Sequence, residues 1–202
     1  MFKRYQSRHR IKSFDPSVLV RTPPAQPTQI QETYIPKHTF SDFEFPAQLI
    51  SNITLRNYPA LTPIQDQVIP LLLAGKDVVG LANTGTGKTA SFLLPFIKKV
   101  DQDHSQRVLI MAPTRELAVQ IEEELKSFAR QMRIFSALCI GGVSMQGQIR
   151  SLYPNPNFVI GTPGRLKDLI ERRELNLMHF QNVGLDEVDR MVDIGFIKDI
   201  KY

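Results

Sequence analysis

From about Thr39 onward, short apolar runs alternate with stretches of helical period. The runs at 77–82, 107–112, 135–140, 157–161 and 183–186 have the length and composition of strands. Between them, Lys88–Val100 and Thr114–Gln131 repeat apolar positions every three or four residues. In the second stretch Leu117, Ile121, Leu125 and Phe128 share one face, which assigns Glu122, Glu123 and Lys126 to water. Thr162-Pro163 sets a capping residue before a proline at the first helical position and predicts a helix to about Arg173. Ile69 to Ala74 stops at Gly75 and reads as a core helix; no segment approaches the roughly 18 apolar residues of a membrane span. Repeated strand–helix units predict an α/β fold, a largely parallel sheet with helices on both faces. Ligands then gather at the carboxyl ends of the strands.

The first 38 residues break this pattern. They hold Lys3, Arg4, Arg8, Arg10, Lys12, Arg21 and Lys37 against Asp15 and Glu32, so they carry the whole net charge of +5. With five prolines and few large apolar residues, the segment cannot bury enough surface to offset its ordering entropy. Residues 1–38 therefore read as a disordered tail. It is a solvated extension, an electrostatic arm toward nucleic acid, or, less well supported by its weak apolar face, a targeting segment. The remainder is balanced in charge, so the basic pI says nothing about a binding surface on the folded part.

Cys139 is the only cysteine, which excludes an internal disulfide and fits a reducing, cytoplasmic compartment. Its neighbours, Phe135 to Ile140, read as a buried strand in which it acts as a small hydrophobe. His9, His38, His104 and His179 show no ligand spacing, and no transition-metal site is assigned.

Two segments carry chemistry. Directly after the run at 77–82 comes Ala82-Asn83-Thr84-Gly85-Thr86-Gly87-Lys88-Thr89, which differs from the G-x-x-x-x-G-K-[ST] pattern only in its first residue. Glycines let backbone N–H groups turn onto an anion, the lysine adds a charge on outer phosphates, and the threonine hydroxyl reaches Mg²⁺. The chain is thus expected to bind a nucleoside triphosphate. The second segment, Asp186-Glu187-Val188-Asp189, follows the last strand candidate. An acidic pair there suits triphosphate hydrolysis, one carboxylate holding the metal through water and its neighbour acting on the attacking water.

The phosphate loop, Pro113-Thr114-Arg115-Glu116-Leu117-Ala118-Val119-Gln120, Gly141-Gly142, Thr162-Pro163-Gly164-Arg165 and Asp186-Glu187-Val188-Asp189 resemble, in order and spacing, the first RecA-like domain of DEAD-box RNA helicases. Thr62-Pro63-Ile64-Gln65, with Phe40 upstream, and Asp189-Arg190-Met191 through Gly195-Phe196 extend the likeness. It covers residues 39–202 and implies a RecA-like P-loop NTPase fold with ATP and Mg²⁺ as cofactors. By the resemblance, Gln65 reads the adenine edge and Phe40 packs near the base, while Thr84, Gly85, Thr86, Gly87, Lys88 and Thr89 hold the phosphates. Thr89 and, through water, Asp186 hold the metal, and Glu187 is the general base. Thr114, Arg115, Gly142, Thr162, Gly164 and Arg165 contact the RNA backbone, which carries no base-sequence information.

Val188 stands where the family has alanine, Leu61 where proline is common, and Asn57-Tyr58 where Gly-Phe is common. None of these removes a reacting side chain. The family continues to a Ser-Ala-Thr motif, on a strand between the phosphate-loop strand and the Asp186 strand, and then to a second RecA-like domain that supplies arginine fingers. Neither precedes Tyr202. The expectation is therefore a C-terminally incomplete, monomeric domain of an RNA-unwinding enzyme, with little turnover by itself and no membrane partner. Two rival readings remain, a non-catalytic RNA- and ATP-binding module and a DNA helicase of the same superfamily.

Overall fold

The computed structural model describes residues 34–196; most of the stretch read as a disordered tail lies outside the described residues. Four strands, β1 (Val108–Met111), β2 (Ser136–Cys139), β3 (Phe158–Gly161) and β4 (Asn182–Leu185), form one sheet in the order β2-β3-β1-β4. Every pairing is parallel. The helices are α1 (Ala47–Leu55), α2 (Pro63–Leu73), α3 (Lys88–Gln102), α4 (Arg115–Phe128), α5 (Met145–Leu152), α6 (Pro163–Glu171) and the short α7 (Val188–Asp193). None of the described helices is long and apolar enough to cross a membrane.

Alternate strand residues point to opposite sides of a sheet. Val108, Ile110, Phe158 and Ile160 join the larger core with Leu49 and Ile53 of α1, Leu93 and Ile97 of α3, and Ile121, Leu125 and Phe128 of α4. Leu109, Val159 and Cys139 turn the other way onto Leu166 and Leu169 of α6, flanked by Met145 and Ile149 of α5. Helices thus cover both faces, and the central strands β1 and β3 read as unbroken apolar runs because both their sides are buried. Cys139 is fully enclosed, and burial pushes its thiol up to about 12.

The structure differs from the sequence reading in three places. The compact unit starts at Tyr34, ahead of the composition shift near Thr39. Asp66 of α2 draws the earlier residues in, accepting hydrogen bonds from Tyr34, Lys37 and His38. Glu122, assigned to water, is instead nearly buried; it accepts from Ser136 Oγ at 2.8 Å and pairs with Lys126 at 2.9 Å. A carboxylate with both partners in reach tolerates a helix flank facing β2.

The third difference concerns the apolar run at 77–82, which is not a strand. A strand exists through its ladder, and among the described residues this segment has no neighbour to pair with. Val79 and Leu81 are 91% and 92% exposed. β4 pairs with β1 along one edge only. Between its other edge and the 77–82 segment lies an open groove of about 610 Å³, bordered by Val79, Leu81, Val183 and Leu185. The groove lies where the resemblance places a further strand.

Polar side chains close the helix ends. Thr114 Oγ1 accepts from Leu117 N at 3.2 Å and Ser144 Oγ from Gly147 N at 3.3 Å, capping α4 and α5. Thr162 holds the capping position of α6 with Pro163 after it, although its hydroxyl makes no capping bond. At the other end of α4, buried Asn52 donates from Nδ2 to the carbonyls of Phe128 (2.6 Å) and Arg130 (2.9 Å). The Phe128 carbonyl is one that the helix end leaves without a partner, and the Arg130 carbonyl lies in the turn just beyond it. Asn52→Ala strands both, and a loss of about 2 kcal/mol in unfolding free energy is expected from urea denaturation. An unchanged midpoint contradicts the role assigned to Asn52.

Candidate functional site

Residues 82–89 turn through Gly85 (φ +78°) and Gly87 (φ +84°) and enter α3 at Lys88. Gly87 is also crowded: a Cβ there would stand 2.3 Å from Gln65 Nε2, so a side chain fits neither the backbone nor the space. No side chain caps α3, leaving its positive end to the loop that precedes it. Lys88 Nζ donates to Ala82 O at 2.7 Å, folding back across that loop. Thr86 Oγ1 donates to Asn83 O at 2.7 Å and braces the turn.

Asp186 follows β4 immediately, and its N–H donates to Met111 O at 3.0 Å. Its carboxylate is buried, accepting from Glu187 N at 3.0 Å. Burial pushes the Asp186 pKa up; Lys88 draws it back and the Glu187 carboxylate adds to the rise. Glu187 sits in the left-handed region at φ +50°, with its carboxylate 3.3 Å from Arg190.

A cavity of about 530 Å³ opens between these segments. Thr84, Gly85, Gly87, Lys88 and Thr89 line it from one side, and Asp186 and Glu187 from the other. That volume is in the range of small-molecule sites. Phe40, Gln65 and Thr86 do not line it. Gln65 is fully enclosed and engages both ends of its amide, Oε1 accepting from Thr62 N (3.1 Å) and Nε2 donating to Gly87 O (3.2 Å). It ties α2 to the phosphate loop, with one amide hydrogen and one lone pair to spare. Phe40 is half-buried and packs against the larger core.

Among the described residues, no group of three or more His, Cys, Asp or Glu side chains is arranged to hold a metal ion. Mg²⁺ bound together with phosphates needs only one or two carboxylates and other oxygen donors. The Thr89 hydroxyl and the Asp186 carboxylate, which line the same cavity, are a donor set of that kind.

A second cluster lies further along the same sheet edge. The guanidinium of Arg115 lies against Gly141 and Gly142; a Cβ on Gly142, itself at φ +78°, would stand 2.0 Å from an Arg115 nitrogen. Arg165 donates to Val143 O (3.3 Å) and Gln148 Oε1 (2.9 Å), and its Nε is buried with no partner. Gln148 in turn donates to Ile140 O at 2.8 Å. Arg115, Gly142 and Arg165 are thereby brought together. Thr114 and Thr162 start α4 and α6 beside them, and Gly164 lies in the first turn of α6 with open space where a Cβ would be.

Sequence reasoning missed Tyr58, Thr62, Gln120, Glu124 and Gln148. Gln120 and Glu124 line the cavity from α4, one and two turns beyond Leu117, a spacing visible in the sequence once that helix is assigned. Tyr58 donates to Glu124 Oε1 at 3.2 Å, and burial raises the Glu124 pKa. Thr62 Oγ1 is buried without a partner at the cavity wall. Gln148 sits among the apolar positions of α5 that face the smaller core, and a polar residue on that face was the available signal.

The DEAD/DEAH box helicase family matches residues 62–202. An ATP-dependent RNA helicase CshA of Listeria monocytogenes is 46% identical over 163 residues, 80% of this chain and 31% of the relative. The RNA helicase CrhR of Synechocystis is 45% identical over 166 residues, 81% of this chain and 33% of the relative. A crystal structure of a DEAD box protein from Methanococcus jannaschii superposes with a TM-score of 0.77 at 38% identity, over 81% of this chain and 45% of that one. The chain spans about a third of the length of these sequence relatives.

A carboxylate whose pKa is raised by folding binds its proton more tightly in the folded than in the unfolded chain. Its contribution to stability therefore falls as pH rises above the ordinary carboxylate value of about 4. Asp186→Asn removes the buried charge at nearly constant shape. In buffer free of nucleotide and divalent cation it is expected to melt about 2–4 °C higher at pH 7, with the gain vanishing near pH 3.5. A variant that melts below the unsubstituted chain at pH 7 contradicts this.

Proposed function

Because the chain belongs to the DEAD/DEAH box helicase family, we propose that residues 39–202 are the ATP- and RNA-binding first RecA-like domain of an ATP-dependent RNA helicase. The observation that carries the reading is the cavity in which Thr84, Gly85, Gly87, Lys88 and Thr89 of the phosphate loop meet Asp186 and Glu187. In it the backbone of Thr84–Thr89 takes the phosphates, with Lys88 released from the Ala82 carbonyl onto the outer ones. Thr89 and, through water, Asp186 would hold Mg²⁺, which when bound supplies positive charge to neutralise the phosphates. Glu187, beside Asp186 and turned by its left-handed backbone, orients the attacking water and takes its proton. Gln65 and Phe40 serve the adenine, Gln65 through the part of its amide that Thr62 and Gly87 leave unused.

Thr114, Arg115, Gly142, Thr162, Gly164 and Arg165 contact the RNA backbone. The cluster that sets Arg115 on Gly142 and orients Arg165 through Gln148 supports this reading. Phosphate and sugar contacts of this kind read no base sequence, and contacts to the 2′-hydroxyl separate RNA from DNA. Unwinding is assigned to a protein in which a second RecA-like domain closes on this edge and supplies arginines to the outer phosphate; such residues raise related rates about 10³–10⁵-fold. We place the domain in the reducing cytoplasm as a monomer.

Calorimetric titration with ATP and Mg²⁺ tests the phosphate site. Lys88→Ala is expected to weaken binding about 10–100-fold, the equivalent of one charge-assisted contact, whereas Glu187→Gln keeps the affinity. In a two-domain protein the latter stops turnover. Equal affinity in the Lys88 variant, or equal hydrolysis in the Glu187 variant, removes the corresponding role.

A further inference from the structure

Asp66, next to Gln65 on α2, is 3% exposed, yet the nucleotide reading gives it no task. Its carboxylate accepts from the Tyr34 hydroxyl, from the backbone N–H of Lys37 (2.8 Å) and of His38 (3.1 Å), and lies 2.7 Å from His38 Nδ1. These hydrogen bonds hold its pKa well below the usual carboxylate range against the effect of burial. A buried carboxylate is tolerated when its lone pairs are filled. Here every donor comes from residues 34–38, so the ion has one visible consequence, fastening that segment to α2.

That segment runs directly into the residue proposed to face the base. Thr39 N donates to Asp42 Oδ2 at 2.7 Å and opens the 3₁₀ turn Phe40–Phe43. The His38 ring lies 5.5 Å from the ring of Phe43, which is itself buried in the core. Phe40 is thus held between two fixed points, His38 on Asp66 and Phe43 in the core. Consecutive residues on a helix diverge by about 100°. Gln65 therefore reaches the phosphate loop while Asp66 reaches the upstream strap, and one turn of α2 sets the two adenine contacts relative to each other.

We propose that Asp66 is a positioning residue for base recognition, acting through the 34–38 segment to fix Phe40 relative to Gln65. This rests on the assignment of Phe40 and Gln65 to the adenine made above. Releasing the strap leaves the phosphate loop untouched, so base selectivity falls while the grip on phosphate stays.

The test titrates the full chain, with Mg²⁺, against ADP, GDP and pyrophosphate. The unsubstituted chain is expected to prefer ADP over GDP. Asp66→Ala is expected to lose about tenfold in ADP affinity and most of that preference, with pyrophosphate affinity unchanged. The pair Tyr34→Phe with His38→Ala removes two of the four donors from the outer side of the strap and guards against a misfolded Asp66 variant. It is expected to move the ADP-to-GDP ratio in the same direction by a smaller factor. An unaltered ratio in both variants overturns the proposal, as does a loss of pyrophosphate affinity in step with ADP. If the unsubstituted chain binds ADP and GDP alike, the adenine assignment fails and the role of Asp66 falls with it.

Discussion

Everything at the site hangs from the last rung of each parallel ladder. The strands end in register, Met111 opposite both Gly161 and Leu185, and Gly161 opposite Cys139. One more bond then continues each pairing into the loop: Asp186 N to Met111 O, Ala112 N to Gly161 O and Thr162 N to Cys139 O, each 3.0 Å. These rungs bring Asp186, the approach to Thr114 and Arg115, and the start of the Thr162 helix out at one level. In a parallel sheet with helices on both faces, ligands gather at that rim, and the side chains of the site stand along it.

The rim tolerates charge where the core does not, and the structure shows what that requires. Asp186 is buried enough for its pKa to rise, with the Glu187 N–H bonded to its carboxylate and the Lys88 charge drawing the pKa back. Arg165 keeps a buried Nε without a partner, and Thr62 a buried hydroxyl. Such unspent polar capacity is concentrated beside the phosphate loop and the Arg115 cluster. Asp66 and Asn52, which lie away from the rim, are satisfied within the protein. Stability and ligand capacity thus draw on different buried polar groups.

Much of this was legible in the sequence because periodicity reports burial directly. All strands of the sheet and the helices α3, α4 and α6 fall within a few residues of where apolar spacing and the Thr162-Pro163 start put them. The exception, the run at 77–82, shows the limit of that signal. Apolar composition marks a segment able to join a sheet, but a ladder needs a neighbour, and among the described residues none lies between this segment and β4. Glu122 escaped for a related reason: its place on a polar flank was visible, its Ser136 partner on another element was not. At the site, Lys88, Thr89, Asp186 and Glu187 were readable because glycine spacing and acidic pairing reflect local chemistry. Glu124, Gln148 and Asp66 act through partners distant in sequence, Tyr58, Arg165 and Tyr34, which no local pattern announces.

The most direct measurement is amide hydrogen exchange across the chain with and without ADP and Mg²⁺. If the rim binds a magnesium nucleotide, protection rises together at Thr84–Thr89 and at Asp186–Glu187, with Val79 and Val183, at the far wall of the neighbouring groove, unaffected. Binding that protects Val79 and Val183 and leaves Thr84–Thr89 and Asp186–Glu187 unchanged would contradict the placement of the site.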